Sequence, residues 1–155
     1  MTILVTGGAG FIGSNLLYTL SEQYEHVVCL DNLTYAGDIN NIPKNSSIEF
    51  YEGDICDEGF VTSVFMKFAP RYVMHLAAES HVDNSIKDCR PFVYTNVLGT
   101  VNLLQQALKF EVEKFLHIST DEVYGSIDDG SFTEDTIYNP RNPYSASKAS
   151  SDHFV

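Results

Sequence analysis

Tryptophan is absent from the 155 residues, and proline occurs only five times. Basic residues are scarce: 9 Lys+Arg face 21 Asp+Glu, a formal net charge of −12 with His neutral. That balance excludes a nucleic-acid binder, which needs clustered Lys/Arg against the phosphates. It also argues against docking on an anionic membrane surface. No apolar run approaches the ~18 residues of a membrane span. Met1-Thr2 leads straight into Ile3-Leu4-Val5 without the basic start of a secretory signal, so a cytoplasmic location is expected. Cys29, Cys56 and Cys89 are too few and too scattered for a zinc site, and read as reduced thiols, small core residues. What the chain does have is 44% hydrophobic residues, enough for a packed core.

Short apolar runs alternate with amphipathic stretches. Residues 2–6 and 26–30 read as buried strands, and 48–51, 72–77 and 115–119 as three further strands. Between them, Ile12, Leu16, Leu17 and Leu20 mark one helix face, and Phe60, Val64, Phe65 and Phe68 a second, closed by Pro70. Residues 32–47 read as loop. Pro91 opens a long helix with Val93, Val97, Val101, Leu104 and Leu108 as its expected core face. Asn142 caps a last helix that starts at Pro143. Strands alternating with helices predict an α/β fold, a doubly wound parallel sheet of the Rossmann type. The last helix has no stop signal before Val155, so the domain is expected to be truncated before its last strands.

Gly7-Gly8-Ala9-Gly10-Phe11-Ile12-Gly13 lies between the first strand and the first helix, the setting in which glycines hold a dinucleotide pyrophosphate. The helix N-terminus supplies the positive end of its dipole, so an acidic protein can still hold an anionic ligand there. Asp31 ends the second strand, 18 residues after Gly13. A carboxylate there bonds the adenosine ribose hydroxyls and repels a 2′-phosphate, and Asn32 follows in place of Arg. NAD, not NADP, is the cofactor expected. Asp54 and Ile55 end the third strand, where an adenine edge would lie, with a turn aspartate as the equal alternative. The small residues Leu76-Ala77-Ala78 leave room at the fourth strand's carboxyl end.

Tyr144 and Lys148 stand at i and i+4 on the last helix, so phenol and ammonium share a face. A cation there is expected to lower the Tyr144 pKa and make it a base, while Lys148 also binds the nicotinamide ribose. Thr120, Asp121 and Glu122 follow the fifth strand. A carboxylate pair at that edge serves as acid and base when its surroundings separate the two. Asp128-Asp129-Gly130 reads as a surface turn.

Five segments together carry a resemblance: Thr6–Gly13, Leu33–Gly37, His75–Asp83, Ser119–Gly125 and Pro143–Ala149. The chain resembles the extended short-chain dehydrogenase/reductase family over essentially its whole length. Its Thr120-Asp121-Glu122 triplet is similar to that of the nucleotide-sugar 4,6-dehydratases and is lacking in the epimerases of the same fold. The resemblance implies transient oxidation at C4 of dTDP-glucose by bound NAD, loss of water across C5–C6, and hydride return to C6. Tyr144 would be the base at the 4-hydroxyl, Glu122 the base at C5 and Asp121 the acid at the 6-hydroxyl; Thr120 would orient the 4-oxygen. Phe11, Ile12, Asp31, Asn32, Leu33, Thr34, Asp54, Ile55, Leu76, Ala77, Ala78, Glu79, Ser80 and Thr95 would line the NAD site with Gly7, Gly10 and Gly13; Ser80 would also touch the sugar nucleotide. Asn84 stands where thymidine-nucleotide members usually carry Arg, so UDP-glucose dehydration stays an alternative, as does 4-epimerisation. Family members run to about twice this length. The resemblance therefore implies that residues 1–155 are an incomplete NAD-binding domain, that a C-terminal nucleotide-sugar-binding domain is absent from this chain, and that NAD binding alone is what the fragment could retain. It also implies that the complete protein is a homodimer built on helix 91–110 and the last helix.

Overall fold

The computed structural model describes residues 1–155. Five strands form one parallel sheet: β1 (Thr2–Thr6), β2 (His26–Asp31), β3 (Ile48–Glu52), β4 (Tyr72–His75) and β5 (Lys114–His117). Their spatial order is β3-β2-β1-β4-β5. The order reverses between β1 and β4, and the crevice at such a reversal is where open α/β sheets bind ligands.

Strand residues alternate between two cores. Ile3, Val5, Val27 and Cys29 face α1 (Phe11–Gln23), meeting Leu17 and Leu20. Leu4, Val28, Leu30 and Val73 face the other way, onto Val61, Val64 and Phe65 of α2 (Glu58–Phe68) and onto Leu103 and Ala107 further along. Asp57 caps α2 through the Phe60 N–H at 2.9 Å, and Ala69 ends it in the left-handed region at φ 41°. A six-residue helix, α3 (Val82–Lys87), escapes the sequence pattern because it has no apolar stripe; Ile86 points outward.

The long helix departs from expectation. α4 (Arg90–Phe92) runs into a wide-turned π segment, Val93–Gly99, and on into α5 (Thr100–Lys109). Its buried residues are Phe92, Asn96, Gly99, Thr100, Asn102, Leu103, Gln106 and Ala107. The expected core face is the outer one: Val93 and Leu108 are exposed, and Val97, Val101 and Leu104 are only partly covered. The inner face is polar because the sheet edge needs partners. Thr100 bonds the His75 ring, Asn96 bonds the Glu79 backbone, and Asn102 donates to the Ile55 carbonyl at 2.7 Å. Two smaller corrections follow the same logic. Ile12 is exposed at the glycine loop, with Gly13 buried in its place. Cys89 is exposed and Cys56 partly so, leaving Cys29 as the core thiol. α6 (Pro143–Asp152) begins with the expected Asn142 cap, which accepts from the Ser145 N–H at 2.8 Å. Asp128–Gly130 lies in an exposed bend.

Candidate active site

A cavity of about 400 Å3 opens at the carboxyl edge of the sheet between the glycine loop, the β4 end and α6. Sterics build its floor. Gly7 sits at φ 73°, and a Cβ there would lie 2.5 Å from the Ala77 nitrogen. A Cβ on Gly13 would stand 2.1 Å from the Gly7 carbonyl oxygen. Gly10 is different: its only neighbour on that side is the Gly7 oxygen, at 3.4 Å. Gly10 also caps α1 without a side-chain bond, so the first N–H groups of α1 are left for a ligand.

Asp31 is buried, and its carboxylate ties the loop together. One oxygen accepts from the Ala9 N–H and the other from the Leu33 N–H, each at 2.9 Å. Its remaining lone pairs face the cavity that it lines. Phe11, Ile12, Asn32, Thr34, Ile55, Thr95 and residues 76–80 share that wall with Tyr144 and Lys148. Leu33 is not on it; it contributes its N–H to Asp31 from a left-handed backbone at φ 49°. Nor is Asp54, whose carboxylate closes a turn on the Cys56 N–H at 2.8 Å. The pattern reading missed Leu30, Ala36, Gly37, Gly53, His81, Ile118 and Ser119 as wall residues. Gly37, His81 and Ser119 lie in segments that carry the family resemblance, and a Cβ on Gly37 would come within 2.8 Å of Asp31 Oδ1; the others are ordinary loop or strand-end residues.

The second half of the site is polar. Thr120, Asp121 and Glu122 form the start of a 3-10 turn, Asp121–Tyr124, beyond β5. They stand off the cavity wall yet beside Tyr144. Burial raises the Tyr144 pKa, the Thr120 hydroxyl opposes that rise, and the charges of Glu122 and Asp121 add to it. Asn142 Nδ2 donates to Glu122 Oε2 at 2.9 Å, so the α6 cap also holds that carboxylate. Lys148 does not lower the Tyr144 pKa as expected. Its Nζ donates to the Ile118 carbonyl at 2.6 Å, and burial brings its own pKa down to about 8. His75, fully buried between Thr6 and Thr100, is held well below the usual imidazole range by burial, then by the charges of His117 and Lys148.

Residues 4–155 match the family model described as GDP-mannose 4,6 dehydratase. The chain belongs to that family. Low-salt glycan biosynthesis protein Agl12 of Haloferax volcanii is 51% identical to it, over 100% of this chain and 51% of that protein. The dTDP-glucose 4,6-dehydratase of Haemophilus influenzae is 46% identical over 100% and 50% respectively. Among solved family structures, the dTDP-glucose 4,6-dehydratase DesIV of Streptomyces venezuelae, with NAD and dTDP bound, superposes with a TM-score of 0.93 at 46% identity, covering 99% of this chain and 50% of that one. The Thermotoga maritima UDP-glucose 4-epimerase with UDP-glucose gives 0.93 at 37% identity, with the same coverages of 99% and 50%. The chain thus spans about half the length of the curated relatives it matches. No helix is long and apolar enough to cross a membrane.

Proposed function

We propose that residues 1–155 are the NAD-binding part of a nucleotide-sugar 4,6-dehydratase acting on dTDP-glucose, whose sugar-nucleotide-binding part lies outside this chain. The observation that carries the reading is the Thr120-Asp121-Glu122 turn placed beside Tyr144 at the β5 edge. An epimerase needs one acid/base centre at C4. A dehydratase needs a second acid and a second base at C5 and C6, and a carboxylate pair beside the tyrosine supplies them.

The residues fit NAD. The open side of Gly10 and the uncapped α1 N-terminus suit a pyrophosphate, and Asp31, already fixed by two backbone N–H groups, suits ribose hydroxyls. Held by these residues, NAD would supply a reversible hydride store, for the oxidation at C4 and the later reduction at C6. Tyr144, oriented by Thr120, is placed to accept the proton of the 4-hydroxyl; because burial raises its pKa, it would need the positive charge that NAD brings to act as the base. Glu122, held by Asn142, removes the C5 proton made acidic by the 4-ketone. Asp121 protonates the departing 6-hydroxyl, and water leaves. Ser80 reaches the cavity mouth, from where it meets the substrate. As hydride reaches C6, Glu122 returns its proton to C5, and the product is a 4-keto-6-deoxy sugar nucleotide, with no net redox change. The complete protein pairs as a homodimer through the outward apolar stripe of the long helix, which carries Val93, Tyr94, Leu98 and Leu108 in the open. Three unpaired thiols suit the reducing cytoplasm.

The test is Glu122→Gln in the complete enzyme, incubated with dTDP-glucose and, in parallel, UDP-glucose. Mass and NADH absorbance are followed. The variant should oxidise C4 and stall before losing water, with dTDP-glucose the better substrate. Normal dehydration by the variant would overturn the base assignment. Epimerised product of unchanged mass from the unaltered enzyme would favour the 37%-identical epimerase's chemistry instead.

A further inference from the structure

Behind Lys148 lies a buried polar chain that the reaction scheme above leaves unused. His117 Nε2 is 3.3 Å from Lys148 Nζ and 3.2 Å from Asp152 Oδ1. Asp152 Oδ2 accepts from Ser119 Oγ at 2.6 Å and from Tyr138 OH at 3.1 Å. The His117 side chain is 5% exposed, that of Asp152 11%, and neither His117 Nδ1 nor Asp152 Oδ1 has a hydrogen-bond partner, so the 3.2 Å approach of Nε2 to Oδ1 is a close contact without a formed hydrogen bond. One ring nitrogen cannot both accept from Lys148 and donate to Asp152. If Nε2 carries the proton, it can bond Asp152 and leaves Lys148 a second donor for the cavity. If Nε2 is bare, it takes that donor, and Asp152 Oδ1 stays without a partner.

We propose that Asp152 and His117 are positioning residues that act on the cavity through Lys148: Asp152 supplies the buried counter-charge for its ammonium, and His117 decides how many of its donors reach a bound ligand. This rests on the cofactor reading only for what that ligand is. The groups facing Lys148 are His117 on β5, Asp152 and Tyr144 on α6, and the His75 ring on β4, which lies 5.2 Å from that of His117. Asp121 and Glu122 act on Tyr144 from the turn. Of these, Asp152 raises the Lys148 pKa against the larger, opposite effect of burial. The close contact with His117 and the hydrogen bonds from Ser119 and Tyr138 overcome burial and keep the Asp152 pKa low, so it stays charged near neutrality.

The experiment follows the Lys148 side chain by NMR in the 13C-lysine-labelled 155-residue chain, assigned by comparison with Lys148→Met. Asp152→Asn keeps the shape and removes the charge. The Lys148 midpoint, near 8 in the parent chain, should fall by about 1 unit or more. Asp152→Glu should return it toward the parent value, a rescue that a packing role would not give. An unmoved midpoint in Asp152→Asn overturns the proposal. If Asp152→Asn fails to fold, the same midpoint is read in Ser119→Ala and Tyr138→Phe, which loosen Asp152 without deleting it; a smaller fall is expected, and none overturns the idea. NAD titration of the same samples separates the two readings. Binding that weakens as pH rises, with the loss beginning at a lower pH in Asp152→Asn than in the parent, supports both. No binding by the parent chain sinks the cofactor reading, while the midpoint still decides the role of Asp152.

Discussion

The two halves of the cavity are held in different ways. At the glycine loop, backbone packs on backbone, Gly7 against Ala77 and Gly13 against Gly7, with Gly8 pressed against the Cys29 sulfur beside them. At the Thr120–Glu122 turn and α6, side chains hold side chains, Asn142 to Glu122 and Asp152 to Ser119 and Tyr138. Steric fixation is stiff and nearly intolerant of a methyl group. A hydrogen-bonded turn is adjustable and carries charge. The contrast suits a site that grips an unchanging cofactor on one side and runs proton transfers on the other.

The largest effect expected is at the loop. Gly7→Ala and Gly13→Ala should each cost about 3 kcal/mol or more, or prevent folding, because the new Cβ falls within 2.5 Å of backbone. Gly10→Ala has room and should fold with a near-normal melting temperature, yet lose NAD binding. Thermal melts with a NAD titration read both. Equal destabilisation at all three positions would erase the distinction between a glycine kept for packing and one kept for a ligand.

The pH dependence of the polar half comes next. Lys148 has a pKa of about 8 folded and about 10.5 unfolded, so above pH 8 the unfolded chain binds more protons and stability rises with pH. The gain across the interval is at most about 3 kcal/mol by that linkage. Burial pushes the Cys29 thiol up to about 12, which works in the opposite direction above pH 9. Denaturant melts of the parent chain and Lys148→Met between pH 7 and 9 isolate the lysine, since the variant should lack the rise.

The smallest effect is at the α6 cap. Asn142→Ala should cost about 1 kcal/mol, the ordinary value of an N-cap, with Gly10→Ala-like loss of NAD binding not expected. A loss above about 3 kcal/mol would show that the turn is fixed as stiffly as the loop.

Much of the fold was legible. Five apolar runs became the five strands within a few residues: β1 and β2, buried on both faces, are almost wholly Val, Ile, Leu and Cys, while the half-exposed β3 and β5 at the sheet edges kept a short apolar or aromatic run. The glycine loop and the α6 cap were legible for a related reason: their backbone geometry admits few residue types. The long helix was misread because periodicity locates an apolar stripe without saying what covers it. Its inner face had to serve the His75 ring and the Glu79 and Ile55 backbones, so it is polar. Lys148 shares the cavity with Tyr144, as the i, i+4 spacing suggested, but it does not lower the tyrosine's pKa as expected. An i, i+4 spacing fixes a helix face, not the Ile118 carbonyl and His117 ring that the ammonium also meets.

The wide-turned segment Val93–Gly99 has a consequence for engineering. One residue of helix is about 100° of rotation. A helix holding one residue more than its regular count is a ratchet stopped between teeth: Phe92 before the segment and Leu103 after it both stay buried, while Thr95 within it lines the cavity. Removing a single residue there would leave both ends intact and turn one against the other. The molecule would then have to choose between its core and its cavity.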